Sequence, residues 1–531
     1  MSKPLVFVAL ALFAVAGLAP IAVMLARVEP GDFAALLQAR ASESAATASG
    51  TWRALTENRA LGLLARTLAY GLGVAALTLA IGVPFGFFTT RTDMPGARVL
   101  RPLGIVPLFF PPMILAMVWT VLADIRGAGA AYFVSALNTF PLVALFAGRA
   151  FERIDGRRED AARLVGGRWA VLRCDLPLVL PAACAGACLA FVFTVNDFSV
   201  PDYVSWIGTP KFNVYADEIF ATWKIDAHPG RAVATALPLI AITLVTLWPA
   251  LVLRRRGAMA SLSGDFQQPQ PIELGAWRWP AFCFCLALVA LGCLVPIARL
   301  AWEAGGGHRG FELARVSASF ALAIERSRED LQNSILWALA VATACVPVGL
   351  ILGHALERQR AARWIEALAL APIAVPAILF GIGMIVLWNH DWSARFYDGG
   401  GIVVLLLFGR FIAFPLVASS GAVAALDPRL EEAARLVGAG PATRLARIVA
   451  PALKSSLLGG WVLVFVLALR ELDATILVPA ANHSAMFRIF NQVHFGRDDF
   501  VAAMALLLVF LIVLPGLLWS LFARTRLELL P

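Results

Sequence analysis

Charge is scarce in this chain. Of its 531 residues only 15% are Asp, Glu, Lys or Arg, while 60% are hydrophobic. A soluble globular domain carries about 25% charged and roughly 45–50% apolar residues. Lysine is scarcer still: Lys3, Lys211, Lys224 and Lys454 are the only four. None follows a glycine, so the phosphate-cradling pattern G-x4-G-K-[ST] is missing, and the chain cannot hold a nucleotide by that route. No segment interleaves basic residues with aromatics on a polar face, which argues against a nucleic-acid partner. The seven cysteines offer no disulfide framework. Cys184, Cys188, Cys283, Cys285, Cys293 and Cys345 sit in apolar runs and Cys174 in a basic loop, so they read as small apolar fillers. No apolar run shows a histidine–carboxylate metal set or a nucleophile–base pair, so the residues suggest no catalytic centre and no metal site.

What is present is apolar length. Runs long enough to cross a bilayer lie at about 4–26, 61–89, 103–125, 131–150, 178–200 and 231–253, and again at 279–300, 333–355, 365–388, 401–425, 455–478 and 501–523. Each approaches the ~20 residues that a helix needs to cross ~30 Å of hydrocarbon. The mean hydropathy of +0.78 is spread over the whole length. The expectation is an all-α membrane protein of about twelve transmembrane helices. The first run follows Lys3 with no clear small-residue cleavage site after it, and reads as a retained helix.

Arginine gives the orientation. Arg98 and Arg101 follow the second run, and Arg153, Arg157, Arg158, Arg163, Arg168 and Arg173 follow the fourth. Arg254 to Arg256 follow the sixth, Arg358, Arg360 and Arg363 the eighth, and Arg429, Arg435, Arg444, Arg447 and Lys454 the tenth; Arg524 and Arg526 follow the last. In a twelve-span count all these loops share one face, which the positive-inside rule makes cytoplasmic, with both termini. The net charge of +9 follows from the same rule.

The chain also repeats itself. The polar stretch at 257–278 reads as a cytoplasmic linker between a first half, 1–256, and a second, 279–531. Pro107 and Pro111 in the first half match Pro372 and Pro376 in the second, and "EDAARLVGG" at 159–167 matches "EEAARLVGAG" at 431–440. A repeat of this length is a duplicated bundle, both copies crossing the membrane in one sense.

The two basic loops, 151–177 and 427–454, are the most informative segments. In the second, Glu432, Ala433 and Ala434 precede Gly438, and Pro451 closes the pattern. Physically this is a short helix, a glycine where the chain can turn with positive φ, and a second short helix ended near a proline. Small alanines allow close approach of another surface. The pattern E-A-A-x3-G-x9-I-x-x-P resembles the signature loop of permease subunits of binding-protein-dependent ABC importers. The first copy carries Asp160, Ala161, Ala162, Gly166 and Pro177, departing by its aspartate and by a spacing two residues shorter.

That resemblance implies a type I ABC importer permease fold in a bacterial inner membrane, with each loop acting as a coupling helix in a groove of an ATPase. It implies that ATP and Mg2+ bind a separate homodimeric ATPase, that this chain has no cofactor and is no enzyme, and that a periplasmic solute-binding protein delivers cargo. The segments "LRELDATILV" and "RIFNQVHFG" (469–478 and 488–496) resemble ferric-ion-type permeases, making ferric iron the expected cargo; thiamine, polyamine and phosphonate importers are related alternatives. His228, His308, His390, His483 and His494 lie in expected outer loops without ligand spacing. An ion-coupled secondary transporter also fits twelve spans but has no ATPase to dock. Charges inside spans are costly and tend to face a cavity or a partner. Asn196 and Asp197 in the fifth run, Arg410 in the tenth, and Arg470, Glu471 and Asp473 in the eleventh are therefore candidates for the substrate passage, with Arg470 and Asp473 spaced to pair.

Overall fold

A computed structural model describes residues 3–33, 59–226, 228–259, 267, 269–359, 364–477, 483–493 and 498–522. Linker residues 260–266 and 268, the end of the eleventh run from 478, Arg360, Arg363, His494, Arg524 and Arg526 lie outside them. Among the described residues the chain is helical throughout, with one isolated bridge between Thr92 and Ile272. Eight helices are long and apolar enough to cross a membrane on their own: Pro4–Leu25, Ala60–Arg91, Gly127–Glu152, Ala170–Asn196, Pro229–Trp248, Gly275–Ala304, Arg328–Arg358 and Asp498–Gly516. Four bent pairs bring the total to twelve.

Proline explains most of the bends. The third span, Ala97–Phe109 with Pro112–Leu122, turns by 98°, and the ninth, Trp364–Ala374 with Ala377–Trp388, by 99°. Each break falls at the second proline of the matched pair, Pro111 and Pro376, whose backbone is extended. A proline has no N–H for the carbonyl four residues back, so Pro111 strands the carbonyl of Pro107. The buried Asn138 side chain answers it, donating from Nδ2 to Pro107 O at 2.6 Å and to Phe110 O at 3.0 Å. In hydrocarbon a stranded carbonyl costs several kcal/mol, which is why a polar side chain stands in the fourth span.

The same chemistry shapes the first span of each half. Pro20 and Pro296 each lack the N–H that would bond the carbonyl four residues back, and the residue before each proline donates five back instead of four. Ala19 N donates to Ala14 O, and Val295 N to Ala290 O. The result is a single π turn in both first spans, at Ala14–Leu18 and Ala290–Leu294. In the first of these, Ala16 O lies so close to Gly409 that a Cβ there would sit 2.1 Å from it.

The helices form two compact units. One comprises 34–221 and 237–302. In it Val143, Ala147, Val179 and Ala183 make a buried core under Leu79, Val83 and Phe87, so the second, fourth and fifth spans pack side by side. The other comprises 1–33, 222–236 and 303–531, where Leu350, Val423, Val449 and Leu453 are buried together. These units differ from the sequence halves in two ways: the first span of each half is counted with the compact unit built mainly from the other, and so is 222–236, which includes the start of the sixth span.

Candidate functional site

In the first basic loop a helix opens at Asp155, whose side chain accepts from Arg157 N, and runs from Gly156. It breaks at Gly166 and Gly167, and helix then continues to Asn196. In the second loop Asp427 accepts from Arg429 N at 2.9 Å and opens Pro428–Leu436. That helix ends in a Schellman turn: Ala439 N donates to Ala434 O at 3.0 Å and Gly438 N to Arg435 O at 3.1 Å. The turn puts Gly438 at φ +80°, a conformation that costs other residues roughly 1–2 kcal/mol.

The two copies differ where their sequences differ. In the first, the left-handed glycine is Gly167 at φ +65°, and Gly166, the position that aligns with Gly438, has φ −155°. The shorter loop moves the turn one residue along. Pro451 makes a π turn over Leu445–Val449, with Ala450 N donating to Leu445 O, and the chain then bends by 83° into Lys454–Arg470. Pro177 instead lies inside the helix that follows the glycine break, within the span Ala170–Asn196, and ends nothing.

The copies share one distribution of side chains. Ala162 and Ala434 are buried against their own units, while Asp160, Ala161, Glu432 and Ala433 face outward. Pro177, Pro451, Gly166 and Gly438 are exposed. Asp160 lies 3.7 Å from Arg163. At the tips Leu164 and Val165 are both 89% exposed, and Leu436 and Val437 are 88% and 84% exposed. Reading the motif by its alanines missed these four, although "ARLVG" stands in both loops.

A second symmetry was also missed. Arg91, the last residue of the second span, forms a fully buried ion pair with Glu159. Arg358, the last residue of the eighth, pairs with Glu431 at 2.9 Å and donates to Leu426 O. In each half the arginine closing one span holds the glutamate one residue before the motif. The surroundings then diverge. Asp175 is buried beside Glu159, whereas His354 Nε2 lies 2.8 Å from Glu431. Burial opposes the charge on Glu431, but the bonds from His354 and Arg358 outweigh it and hold its carboxyl below the ordinary value.

Asn196, Asp197, Arg470, Glu471 and Asp473 lie at or just past helix ends, which corrects their placement within spans, while Arg410 lies inside the tenth span, Gly401–Phe411 with Ala413–Ala425. The fifth span ends at Asn196 and the eleventh at Arg470; the next residues, Asp197 and Glu471, have closely similar extended backbones, at φ −76° and −70°. Each carboxylate binds the turn that follows it. Asp197 Oδ1 accepts from Ser199 N at 3.0 Å and Ser199 Oγ at 2.7 Å, and Glu471 Oε1 from Ala474 N at 3.0 Å. Such side-chain bonds compete with helix continuation, so the helices stop while the apolar composition runs on. Asn196 is buried, its Nδ2 donating to Val192 O and its Oδ1 without a hydrogen-bond donor among the described residues. The structure brings Arg410 from the tenth span to 3.6 Å from Glu471. Its Nε and Nη1 find no hydrogen-bond acceptor among the described residues. Arg470 and Asp473 are half-buried beside that turn.

The family of inner membrane components of binding-protein-dependent transport systems matches residues 82–259 and 345–528, one copy per half. The chain belongs to this family. The permease is similar to the ferric transport system permease protein FbpB of Actinobacillus pleuropneumoniae, 21% identical over 485 residues, which cover 82% of this chain and 67% of that one. It also resembles the molybdenum transport system permease protein ModB of Escherichia coli K12, 30% identical over 213 residues, 35% of this chain and 93% of that protein. The putrescine transport system permease protein PotI of the same strain is 29% identical over 205 residues, 36% and 72%. The permease therefore has the type I fold in two fused copies, and it is a multi-pass inner-membrane subunit of an ABC importer, working with an ATPase and a periplasmic binding protein.

Proposed function

We propose that the permease imports ferric iron, docking a homodimeric ATPase through Gly156–Gly167 and Pro428–Pro451. The observation that carries the docking is the exposed Leu–Val tip repeated in both loops. A groove on the ATPase would cover each tip, with Asp160, Ala161, Glu432 and Ala433 on the contacting side. ATP and Mg2+ belong to that ATPase, so the chain itself is no enzyme. The basic loops and both termini then lie in the cytoplasm. Closure of the ATPase pair moves the coupling helices, and through Arg91–Glu159 and Arg358–Glu431 the spans behind them, exposing the passage to each side in turn. The ends of the fifth and eleventh spans, with Asn196, Asp197, Arg410, Arg470, Glu471 and Asp473, line that passage. Ferric cargo is supported by a relative named for ferric transport that aligns along 82% of the chain, against 35–36% for the molybdenum and putrescine relatives.

The docking test replaces Leu436 and Val437 by aspartate. Because both are exposed, the permease is expected to keep its melting temperature and lose co-purifying ATPase; full retention of the ATPase would overturn the docking. The cargo test is uptake by the reconstituted importer of ferric iron, putrescine and molybdate in parallel. Uptake of either of the others without iron would replace the ferric reading.

A further inference from the structure

The segment that joins the halves is bound to the first coupling helix. Gly156 N, at the start of that helix, donates to Gln267 O at 3.0 Å. Arg91, already paired with Glu159, donates from Nη1 to Pro269 O and Gln270 O, both at 3.4 Å. Ile272 N donates to Arg91 O at 2.7 Å, Asp93 N donates to Ile272 O at 3.3 Å, and Leu274 N donates to Asp93 Oδ1 at 2.8 Å. Between exposed neighbours Ile272 alone is buried, in a cluster with Ala162 and Val171 and with Phe87 and Ala170 packed on it. Ala162 is the inward alanine of the coupling motif. A polar, proline-containing stretch would ordinarily stay solvated; here a parallel bridge and one apolar plug hold it down.

We propose that linker residues 267 and 269–274 are a positioning strap for the first coupling helix, with Ile272 as its positioning residue. The strap fixes the inner face of the Gly156–Val165 helix, so that movement of its tip passes to the second span as a rigid unit. Among the described residues the second coupling helix has no matching backbone strap: side chains of Arg358 and His354 bond its Glu431. The strap's relevance to transport rests on the docking reading above; its effect on the helix does not.

The test is amide hydrogen exchange on the full-length permease in lipid nanodiscs, comparing wild type, Ile272→Val and Ile272→Ala. Removing a buried isoleucine side chain weakens its site by well over a factor of ten. In Ile272→Ala, amides of 156–166 are expected to exchange at least about tenfold faster, those of 428–438 to stay within about twofold, and Ile272→Val to fall between wild type and Ile272→Ala. Unchanged exchange at 156–166, or an equal rise in both coupling helices, would overturn the strap. If Ile272→Ala loosens the spans generally, Asp93→Ala, which removes only the bond to Leu274 N, carries the same expected split. In the assembled importer the strapless variants are expected to move less cargo per ATP hydrolysed. A split in exchange without any ATPase binding would leave the strap standing and sink the docking.

Discussion

Replacing Gly438 by asparagine, alanine and proline isolates the turn that ends the second coupling helix. A Cβ at this position meets nothing within 4 Å, so crowding adds no cost and the backbone at φ +80° decides the outcome. For alanine the left-handed conformation costs roughly 1–2 kcal/mol; asparagine visits it more readily. Proline fixes φ near −65° and removes the N–H that Gly438 donates to Arg435 O, so the turn cannot form. The strain matters for docking only through the fraction of permease whose tip is correctly built, since apparent affinity scales with that fraction. A cost of 1–2 kcal/mol lowers the ratio of built to misbuilt tip by a factor of about 5–30, which is the ceiling on the loss of that fraction. ATPase affinity, measured by titrating nanodisc-held permease, is expected to fall in the order glycine, asparagine, alanine, proline, with alanine weaker by at most about 30-fold. Gly167→Ala is expected to act in the same way on the first loop, because the left-handed turn lies there. Alanine binding as tightly as asparagine, or proline as tightly as glycine, would refute the reasoning.

Two further outcomes follow from the charges. Glu431→Gln breaks the contact with Arg358 and is expected to cost about 1–3 kcal/mol at neutral pH. Because the folded-state carboxyl lies below its ordinary value, the contribution is complete above the unfolded value and fades as pH falls through the folded one. Melting curves of wild type and variant should therefore begin to converge as pH falls below the ordinary glutamate value of about 4.3, and a gap that does not narrow at all as pH falls further would contradict the pairing. Glu471→Gln strands the Arg410 guanidinium and is expected to destabilise the permease by up to about 3–5 kcal/mol, while Arg410→Met/Glu471→Gln recovers most of that. Uptake by the recovered double variant then separates packing from passage: wild-type transport would remove the pair from the passage.

Local features were legible in the sequence. Twelve apolar runs become eight straight spans and four bent pairs, and Pro111 and Pro376, visible as a repeat, mark two of the bends. Features set by distant residues were not. Arg91 and Glu159 stand 68 positions apart, and nothing near either one names its partner. The fifth and eleventh spans were read as ending too late because hydropathy continues past Asp197 and Glu471, while the bonds that stop the helices come from single side chains. The tips at Leu164–Val165 and Leu436–Val437 were passed over because an apolar pair inside an amphipathic helix reads as core until its exposure is known.

The exchange of first spans bears on how the protein is made. The span at Pro4–Leu25 is counted with a unit whose remaining parts are 222–236 and 303–531. Some 270 residues, from 33 to 303, separate it from most of that unit. At about 5–20 residues per second, a ribosome takes roughly 15–50 s to reach them. Through that interval, and on until Gly409 itself is made, the surface around Gly17 that packs against Gly409 must rest against lipid or an insertion factor. Biogenesis thus contains a waiting period whose length is set by translation speed, and slowing the ribosome within the first half lengthens the exposure of that surface.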